Sequence, residues 1–441
     1  MRITKDGRAR SAGPGASAGD TRPFGARRLL ASRWRVPVVF SLLAAGAVLA
    51  APAVASASPL PPPVTGHVYL DDNTAGTNTI AAFDRHADGS LTPLPGSPFA
   101  AGGAGTGAGL ASEGAVQIAD GGRFLLAVDA GSNQVSVLRI RPDGSLRLAS
   151  VVSSGGVLPV SVAVHGSLVY VANAGPADSN YTGFRLAPWG SLTPVPGSTV
   201  ALPSAAQPGD VLFNGTGTKL VGTRVGTSQI DSFTVGLGGR LTAAPGSPFT
   251  AQGVGPFGSQ FRPTNPSQLF VSNAHNGTGL GTVSAFTDSG AGVLTSIGSS
   301  PVADQQTAPC WVTISPDGRY LFAVNTGSGA ISRYSIAPGG ALTLLGSTQV
   351  SANGGVGAVD PGLSPDGRFL YVNESQAKSV GAFAVSGGGN LTELPGSPTP
   401  LPAGATPAIA LVSMVAGRTT QLLLPLADNS QVRQQRVSAA D

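Results

Sequence analysis

A short phrase, Gly-x-Leu, returns seven times along this chain of 441 residues, and in six of the copies it continues with Thr. Neighbouring copies are spaced at about 50 residues, a period typical of propellers and other repeat arrays when the content is strand-like. The phrase therefore predicts one repeat architecture rather than several unrelated domains. The copies begin at Gly89, Gly144, Gly190, Gly239, Gly292, Gly340 and Gly389.

The sixth repeat indicates how one unit is built. Two apolar runs, 309–314 and 319–324, flank Ser-Pro-Asp-Gly, in which Pro second and Gly fourth favour a type I turn. A third run, 330–336, alternates apolar and polar residues with the period of a strand, and a fourth covers 341–345. Four short antiparallel strands make one propeller blade. A Pro-Gly-Ser phrase, present in four repeats, is expected after the fourth strand, where one blade leads into the next.

The two ends of the repeat region complement each other. The first repeat starts at a second strand (68–70) and lacks a first one, whereas 406–411 reads as a first strand without followers. Because a single blade cannot bury both of its faces, the array must close on itself. The sequence thus predicts an all-β, seven-bladed β-propeller at 66–415, with four antiparallel strands per blade, closed by the C-terminal strand. Residues 416–441 are either a tail or an extra hairpin.

The N-terminal 57 residues are expected to be a signal peptide. Arg27, Arg28, Arg33 and Arg35 precede an uncharged apolar run, and the small residues of Ala-Ser-Ala suit cleavage near Ala57. An uncleaved anchor and export by the twin-arginine route are the alternatives. A Pro-rich linker (58–65) follows. Cleavage predicts a secreted protein without stable membrane insertion.

The charge balance excludes one class of partner. The chain carries 26 Lys and Arg against 22 Asp and Glu, but the leader holds nine of the basic residues and only two of the acidic ones. The remaining part, with 17 basic and 20 acidic residues, has a net charge of −3. We therefore expect no nucleic-acid partner. Cys310 is the only cysteine, so no internal disulfide can form. No metal site or cofactor is expected, and the protein is expected to be a monomer.

Topology predicts where function would lie. In a propeller, the end of each second strand opens on the same end of the central channel as the start of the first strand. The residues there are predicted to form a ring that binds substrate, or to satisfy the polar groups of the turns. The ring consists of Asp129, Asn173, Arg224, Asn273 with nearby His275, Asn325, and Asn373 with Glu374.

Three members of the ring depart from the Asn or Asp rule. Arg224 offers a cation for an anion, His275 a titratable imidazole and Glu374 a carboxylate, a set that can hold and activate a carboxylated or lactone substrate. Trp311 is expected to line the same mouth, with Asp129, Asn173 and Asn325 contacting the substrate.

The phrases Ser-Pro-Asp-Gly-Arg-(Tyr/Phe)-Leu and Gly-x-Leu-Thr, over roughly 65–415, resemble the lactonase-type seven-bladed propellers. That family includes propeller-type 6-phosphogluconolactonases and 3-carboxymuconate cyclases. The resemblance implies Arg, His and Glu around the channel mouth, in a Pro-Arg-His that begins one inner strand and an Asn-Glu-Leu that ends the next. Asn373-Glu374-Ser375 resembles the second motif, but Pro309-Cys310-Trp311 stands where the first would be.

Two functions follow as hypotheses. In the first, the protein opens or closes a small sugar or carboxylated lactone, with Glu374 or His275 as acid or base and Arg224 binding a carboxylate or the developing oxyanion. In the second, it is a non-catalytic secreted propeller that binds a glycan, a peptide or another component of the cell envelope.

Overall fold

The computed structural model describes residues 62–350 and 357–405, together with the backbone of 414–418. The predicted signal peptide and the first four residues of the predicted linker lie outside the described residues. None of the helices in the described ranges is long and apolar enough to cross a membrane.

The described chain folds into seven antiparallel β-sheets, which are the predicted blades. Blade 1 contains β1 (Val64–Asp71), β2 (Thr79–His86), β3 (Leu91–Pro93) and β4 (Phe99–Ala100). Blade 2 contains β5 (Val116–Ala119), the short 3-10 helix η1 (Asp120–Gly122), β6 (Phe124–Asp129), β7 (Gln134–Ile140) and β8 (Leu146–Ser153). Blade 3 contains β9 (Pro159–His165), β10 (Leu168–Asn173), β11 (Asn180–Leu186), β12 (Leu192–Pro194) and β13 (Val200–Ala201).

The remaining blades repeat this plan. Blade 4 contains β14 (Pro208–Phe213), β15 (Lys219–Arg224), η2 (Val225–Thr227), β16 (Gln229–Val235), η3 (Leu237–Gly239), β17 (Leu241–Ala243) and β18 (Phe249–Thr250). Blade 5 contains β19 (Pro256–Arg262), β20 (Asn265–Asn273), β21 (Thr282–Asp288), β22 (Leu294–Ser296) and β23 (Val302–Ala303). Blade 6 contains β24 (Pro309–Ile314), β25 (Tyr320–Asn325), β26 (Ala330–Ile336) and β27 (Leu342–Gln349). Blade 7 contains β28 (Ala358–Leu363), β29 (Phe369–Glu374), β30 (Ser379–Val385), β31 (Leu391–Glu393) and β32 (Thr399–Pro400), and the last strand is β33 (Met414–Arg418).

The first strands of the blades form the inner ring. In chain order β5, β9, β14, β19, β24 and β28 each contact the next, and β33 lies between β28 and β5. Each first strand pairs antiparallel with the second strand of its blade, and the second pairs with the third. The first and third strands therefore begin at the same end of the channel at which the second strands end. We call this the mouth end.

Ring closure by a C-terminal strand is confirmed, but the strand lies further along the chain than expected. Strand β33 pairs antiparallel with β1, so that Met414 lies opposite Leu70 and Arg418 opposite Gly66. The predicted segment 406–411 lies outside the described residues. The β1–β33 pairing covers Gly66 to Leu70 in β1 and Met414 to Arg418 in β33.

The Gly-x-Leu phrase has a clear local cause. The glycine of each copy has a positive φ, between +73° and +93°, which suits a residue without a side chain in the turn between the third and fourth strands. The leucine two residues later begins the fourth strand in every blade. The Pro-Gly-Ser phrase was expected after this strand, but it interrupts it: β3 and β4, on either side of Pro95, both pair with β2.

Candidate active site at the channel mouth

The residues of the predicted ring end their second strands as expected, but most of their side chains form hydrogen bonds with the third strand of the same blade. Ser136 Oγ donates a hydrogen bond of 2.6 Å to Asp129 Oδ2, and Asn325 Nδ2 donates one of 2.8 Å to Ser332 Oγ. In each pair the partner lies seven residues later, in the third strand, because the hairpin register places it diagonally opposite. Asn173 and Asn273 are likewise fully buried and bonded to polar side chains of their own third strands.

Arg224 follows the same rule with an ionic partner. Its Nε and Nη2 donate hydrogen bonds of 2.6 and 2.5 Å to the two carboxylate oxygens of Asp231, seven residues later in β16. Tyr181 Oη donates a third hydrogen bond, of 3.1 Å, to the same carboxylate. Both partners of the ion pair are buried. The guanidinium is therefore already neutralised and is not a free cation facing the channel.

Glu374 and His275 lie in different surroundings. Glu374 is buried, its Oε2 accepts a hydrogen bond of 3.1 Å from Ser379 Oγ, and its Oε1 has no hydrogen-bond partner among the described residues. Burial raises the pKa of Glu374 to about 7. The exposed His275 follows β20, and its ring lies against the backbone of Gly255. Within the described ranges, no hydrogen bond or ion pair joins Arg224, His275 and Glu374, and their catalytic roles stay predictions.

Trp311 does not line an open mouth. It is fully buried, with its ring edge-on to Phe257 at a centroid distance of 5.1 Å. Its Nε1 donates a hydrogen bond of 3.0 Å to the carbonyl of Ser112, which belongs to the loop that leads into β5. Trp311 therefore holds that loop in place through this hydrogen bond.

The loop supported by Trp311 runs inside the channel, and we call residues 112–115 the channel segment. Ser112 Oγ donates to the carbonyl of Val160 in β9, and Glu113 N–H donates to the carbonyl of Gly209 in β14. On the other side, Glu113 Oε2 accepts a hydrogen bond of 3.2 Å from Val312 N–H in β24. One short segment can reach the inner strands of blades 3, 4 and 6 only within the central channel.

The channel segment places a carboxyl group beside two others. Asp210 is the third residue of β14, and Asp360 is the third residue of β28. Asp210 Oδ2 accepts hydrogen bonds from Ser259 N–H (3.0 Å) and Ser259 Oγ (2.6 Å), and Ser161 Oγ donates to Oδ1. The Glu113 carboxyl lies near enough to Asp210 and Asp360, from blades 4 and 7, for their charges to act on its pKa.

The pKa values of this group reflect its surroundings. Burial, followed by the nearby carboxylates of Asp210 and Asp360, raises the pKa of Glu113 well above its ordinary value. Burial also raises the pKa of Asp210 to about 7, against the opposing effect of the hydrogen bonds from Ser259. Two neighbouring carboxyls with raised pKa values in different surroundings are an arrangement that general acid–base catalysis uses.

Part of this group has a signature in the sequence. Pro208-Gly209-Asp210 begins an inner strand, so Asp210 takes the position that His has in the Pro-Arg-His of the resembling enzymes. Ala358-Val359-Asp360 begins the inner strand of blade 7, where Asp360 lies at the bulge between Val359 and Pro361. Glu113 gave no such signal, because it lies in an aperiodic loop. No group of three or more His, Cys, Asp or Glu in the described ranges has the geometry to hold a metal ion.

The protein is a seven-bladed β-propeller. Its channel carries carboxyl groups at one end, and these form a candidate acid–base site. The family model for lactonases with a seven-bladed β-propeller matches residues 76–206 and 262–361, just over half of the chain. The chain therefore belongs to this lactonase family. A comparison with curated proteins gives no match.

Solved structures agree on the fold. A periplasmic gluconolactonase from Pseudomonas aeruginosa is 20% identical, with a TM-score of 0.61 over 77% of this chain and 99% of that protein. A proposed 6-phosphogluconolactonase from Bacteroides uniformis is 20% identical, with a TM-score of 0.62 over 80% of this chain and 99% of that one. A similar proposed enzyme from Bacteroides fragilis is 18% identical, with a TM-score of 0.61 over 80% of this chain and 98% of that one. At these identities the similarity establishes the propeller alone.

Proposed function

We propose that this protein hydrolyses a small lactone at the mouth end of its channel, with Glu113 and Asp210 as an acid–base pair. The observation that carries the proposal is the pair itself: two carboxyls with raised pKa values, close together in the channel of a lactonase-family propeller. Their different surroundings suit different roles. Burial and two neighbouring carboxylates favour the protonated form of Glu113, whereas the hydrogen bonds from Ser259 favour the ionised form of Asp210.

The reaction assigned to this pair is the hydrolysis of a lactone by one water molecule. The Asp210 carboxylate takes a proton from a water molecule while the water oxygen attacks the lactone carbonyl carbon. The bond between that carbon and the ring oxygen then breaks, and the Glu113 carboxyl donates its proton to the ring oxygen. One lactone and one water give one hydroxy acid, and proton exchange with solvent restores the pair. This mechanism predicts a rate that rises with pH through about 7, the pKa of Asp210, and falls where Glu113 ionises.

We also propose that the protein is exported. The basic and apolar leader of 57 residues supports export, and one structural neighbour is described as periplasmic. Measuring the mass of the protein recovered from the native host tests this point. A mature chain that begins near Ser58 is expected, and full-length protein would contradict cleavage.

The catalytic proposal is tested with the purified protein lacking residues 1–57 and with glucono-δ-lactone, after the spontaneous hydrolysis rate is subtracted. Asp210→Asn and Glu113→Gln are each expected to lower kcat by about 10²–10⁴-fold. Asp288→Asn is the matched control, because Asp288 is also buried with a raised pKa, but it ends β21 at the opposite end of the channel. Glu374→Gln is measured alongside, and a loss in this variant alone would move the acid–base role to Glu374.

A second function, non-catalytic binding of a glycan, peptide or envelope component, has one observation in its favour. Arg224, the cation expected to hold a substrate carboxylate, is already paired with Asp231. Wild-type protein that leaves the spontaneous rate of every lactone unchanged would favour this function.

A further inference from the structure

The two ends of the channel differ in charge. Among the described residues, ten acidic side chains lie at the mouth end, in the strand halves and loops that open there, against one Arg and one Lys. The basic residues are Arg224 and Lys378. The acidic residues are Asp71, Asp72, Glu113, Asp129, Asp178, Asp210, Asp231, Asp304, Asp360 and Glu374.

Neither of the two cations lies on the inner ring. Arg224 ends the second strand of blade 4 and is held by both oxygens of Asp231. Lys378 is exposed in the turn between β29 and β30. A phosphate or carboxylate group that entered the channel would therefore approach Glu113, Asp210 and Asp360 without meeting either cation first.

The basic residues of the inner strands lie at the opposite end. Arg262 is the last residue of β19, where its Nε donates a hydrogen bond of 2.7 Å to the carbonyl of Gly318. Arg418 is the last residue of β33. Segments 351–356 and 406–413, which the structure does not describe, contain no charged residue in the sequence. The inner ring thus offers no basic side chain at its mouth end within the described strands.

Several carboxyl groups at this end have an oxygen without a hydrogen-bond donor in the described part of the chain. Glu374 Oε1, Asp304 Oδ2 and Asp71 Oδ2 are buried without a hydrogen-bond partner among the described residues, and each belongs to a side chain at most 2% exposed. Sites that recognise phosphate or carboxylate groups use Arg or Lys donors, or the N–H groups of helix N-termini. Within the described strands, the inner ring at the mouth end presents carboxyl groups instead of such cations.

From this distribution we propose that the mouth end accepts an uncharged lactone and rejects phosphorylated and carboxylated ones. This inference rests on the proposed function and narrows its substrate class. It excludes the carboxylated substrate that the sequence had suggested, because the partner expected for the carboxylate, Arg224, is occupied.

A binding measurement can test this inference independently of the catalytic proposal. The probes are gluconolactam, an uncharged analogue that resists hydrolysis, and its 6-phosphate, each titrated calorimetrically into the mature protein at pH 8. Binding of the lactam at least tenfold tighter than binding of the phosphate is expected. Equal or tighter binding of the phosphate, or no binding of either compound, would overturn the inference. Preferential binding of the lactam without hydrolysis of the lactone would leave the selectivity standing and refute the catalytic proposal.

Salt dependence gives a second readout that needs no variant. Raising NaCl from about 0.05 to 0.5 M screens charges, so the affinity for the 6-phosphate should rise severalfold if repulsion limits binding. A fall in affinity would mean that a cation binds the phosphate, which contradicts the inference. Affinity for the uncharged lactam should stay constant.

A charge variant tests the same point locally. Asp360→Asn removes one carboxylate from the group and should narrow the ratio between lactam and phosphate binding severalfold. Asp288→Asn, at the opposite end of the channel, should leave the ratio unchanged. Equal effects of the two substitutions would refute a local origin of the selectivity.

Discussion

Tyr371 Oη donates a hydrogen bond of 2.9 Å to the carbonyl of Gly89, and this contact joins blade 7 to blade 1 across 282 residues of sequence. Gly89 is the glycine of the first Gly-x-Leu phrase. The same contact recurs between Tyr69 and Gly144, and between Tyr170 and Gly239. The ring is therefore closed by this side-chain contact as well as by β33, and the contact is one that ordinary neighbouring blades also use.

We predict that Tyr371→Phe lowers the free energy of unfolding by about 1–2 kcal/mol, because it leaves a buried carbonyl without its donor. Urea unfolding measures the change. Tyr69→Phe should cost a similar amount, since its hydrogen bond to Gly144 is also buried. Tyr320→Phe is the control, because its hydroxyl contacts the carbonyl of Gly387 at an exposed position. If Tyr320→Phe lowered the free energy of unfolding as much as Tyr371→Phe, the contact between blades would contribute no more than an exposed hydrogen bond.

Two adjacent glycines test the cause of the repeated phrase. Gly340 has φ +89°, and a Cβ there would lie 2.7 Å from Ile297 Cδ1, whereas a Cβ at Gly339 would have nothing within 4 Å. Gly340→Ala should cost about 1–3 kcal/mol through backbone strain and crowding. Gly339→Ala should be neutral or slightly stabilising. If the urea midpoint fell equally for both variants, the turn would not specifically require glycine at position 340.

The sequence allowed the fold to be predicted because each blade has the same local requirement. A left-handed turn between the third and fourth strands needs glycine every time, so the requirement repeats in the sequence. The closing strand was harder to place. Residues 406–411 and Met414–Arg418 are both short and largely apolar, and only the pairing with β1 shows that the second one enters the sheet.

The candidate site was predicted only in position. The ends of the second strands lie at the mouth end, but their polar side chains bond to residues of the third strand on the same face of the sheet. Asp129 thus meets Ser136, and Arg224 meets Asp231. Glu113 reaches the channel through tertiary contacts of an aperiodic loop, which no local pattern encodes.

The ion pair between Arg224 and Asp231 can be tested for a structural or a binding role. Asp231→Asn should cost about 3–5 kcal/mol, because it leaves a buried guanidinium without its counter-charge. The double variant Arg224→Met with Asp231→Leu should recover most of that stability and should hydrolyse glucono-δ-lactone like the wild type. If the double variant were stable but inactive, Arg224 would have to contribute to substrate binding.

The raised pKa of Asp210 predicts how stability changes with pH. Its folded-state pKa is about 7, above the ordinary value of 3.8, so between these pH values the folded protein holds a proton that the unfolded chain has lost. Stability must therefore fall as pH rises through this window, by about 1.4 kcal/mol per pH unit for one such group, and then level off above pH 7.

Replacing Asp210 isolates this contribution. The Asn side chain cannot ionise, so the stability of the Asp210→Asn variant relative to the wild type should increase steadily from about pH 4 to 7. Urea unfolding at several pH values measures this difference, with the exposed Asp178→Asn as the control. A difference between Asp210→Asn and the wild type that stays constant with pH would reflect packing alone and refute the raised pKa. A difference that widens from pH 4 to 7 would confirm that Asp210 has a raised pKa in the folded protein.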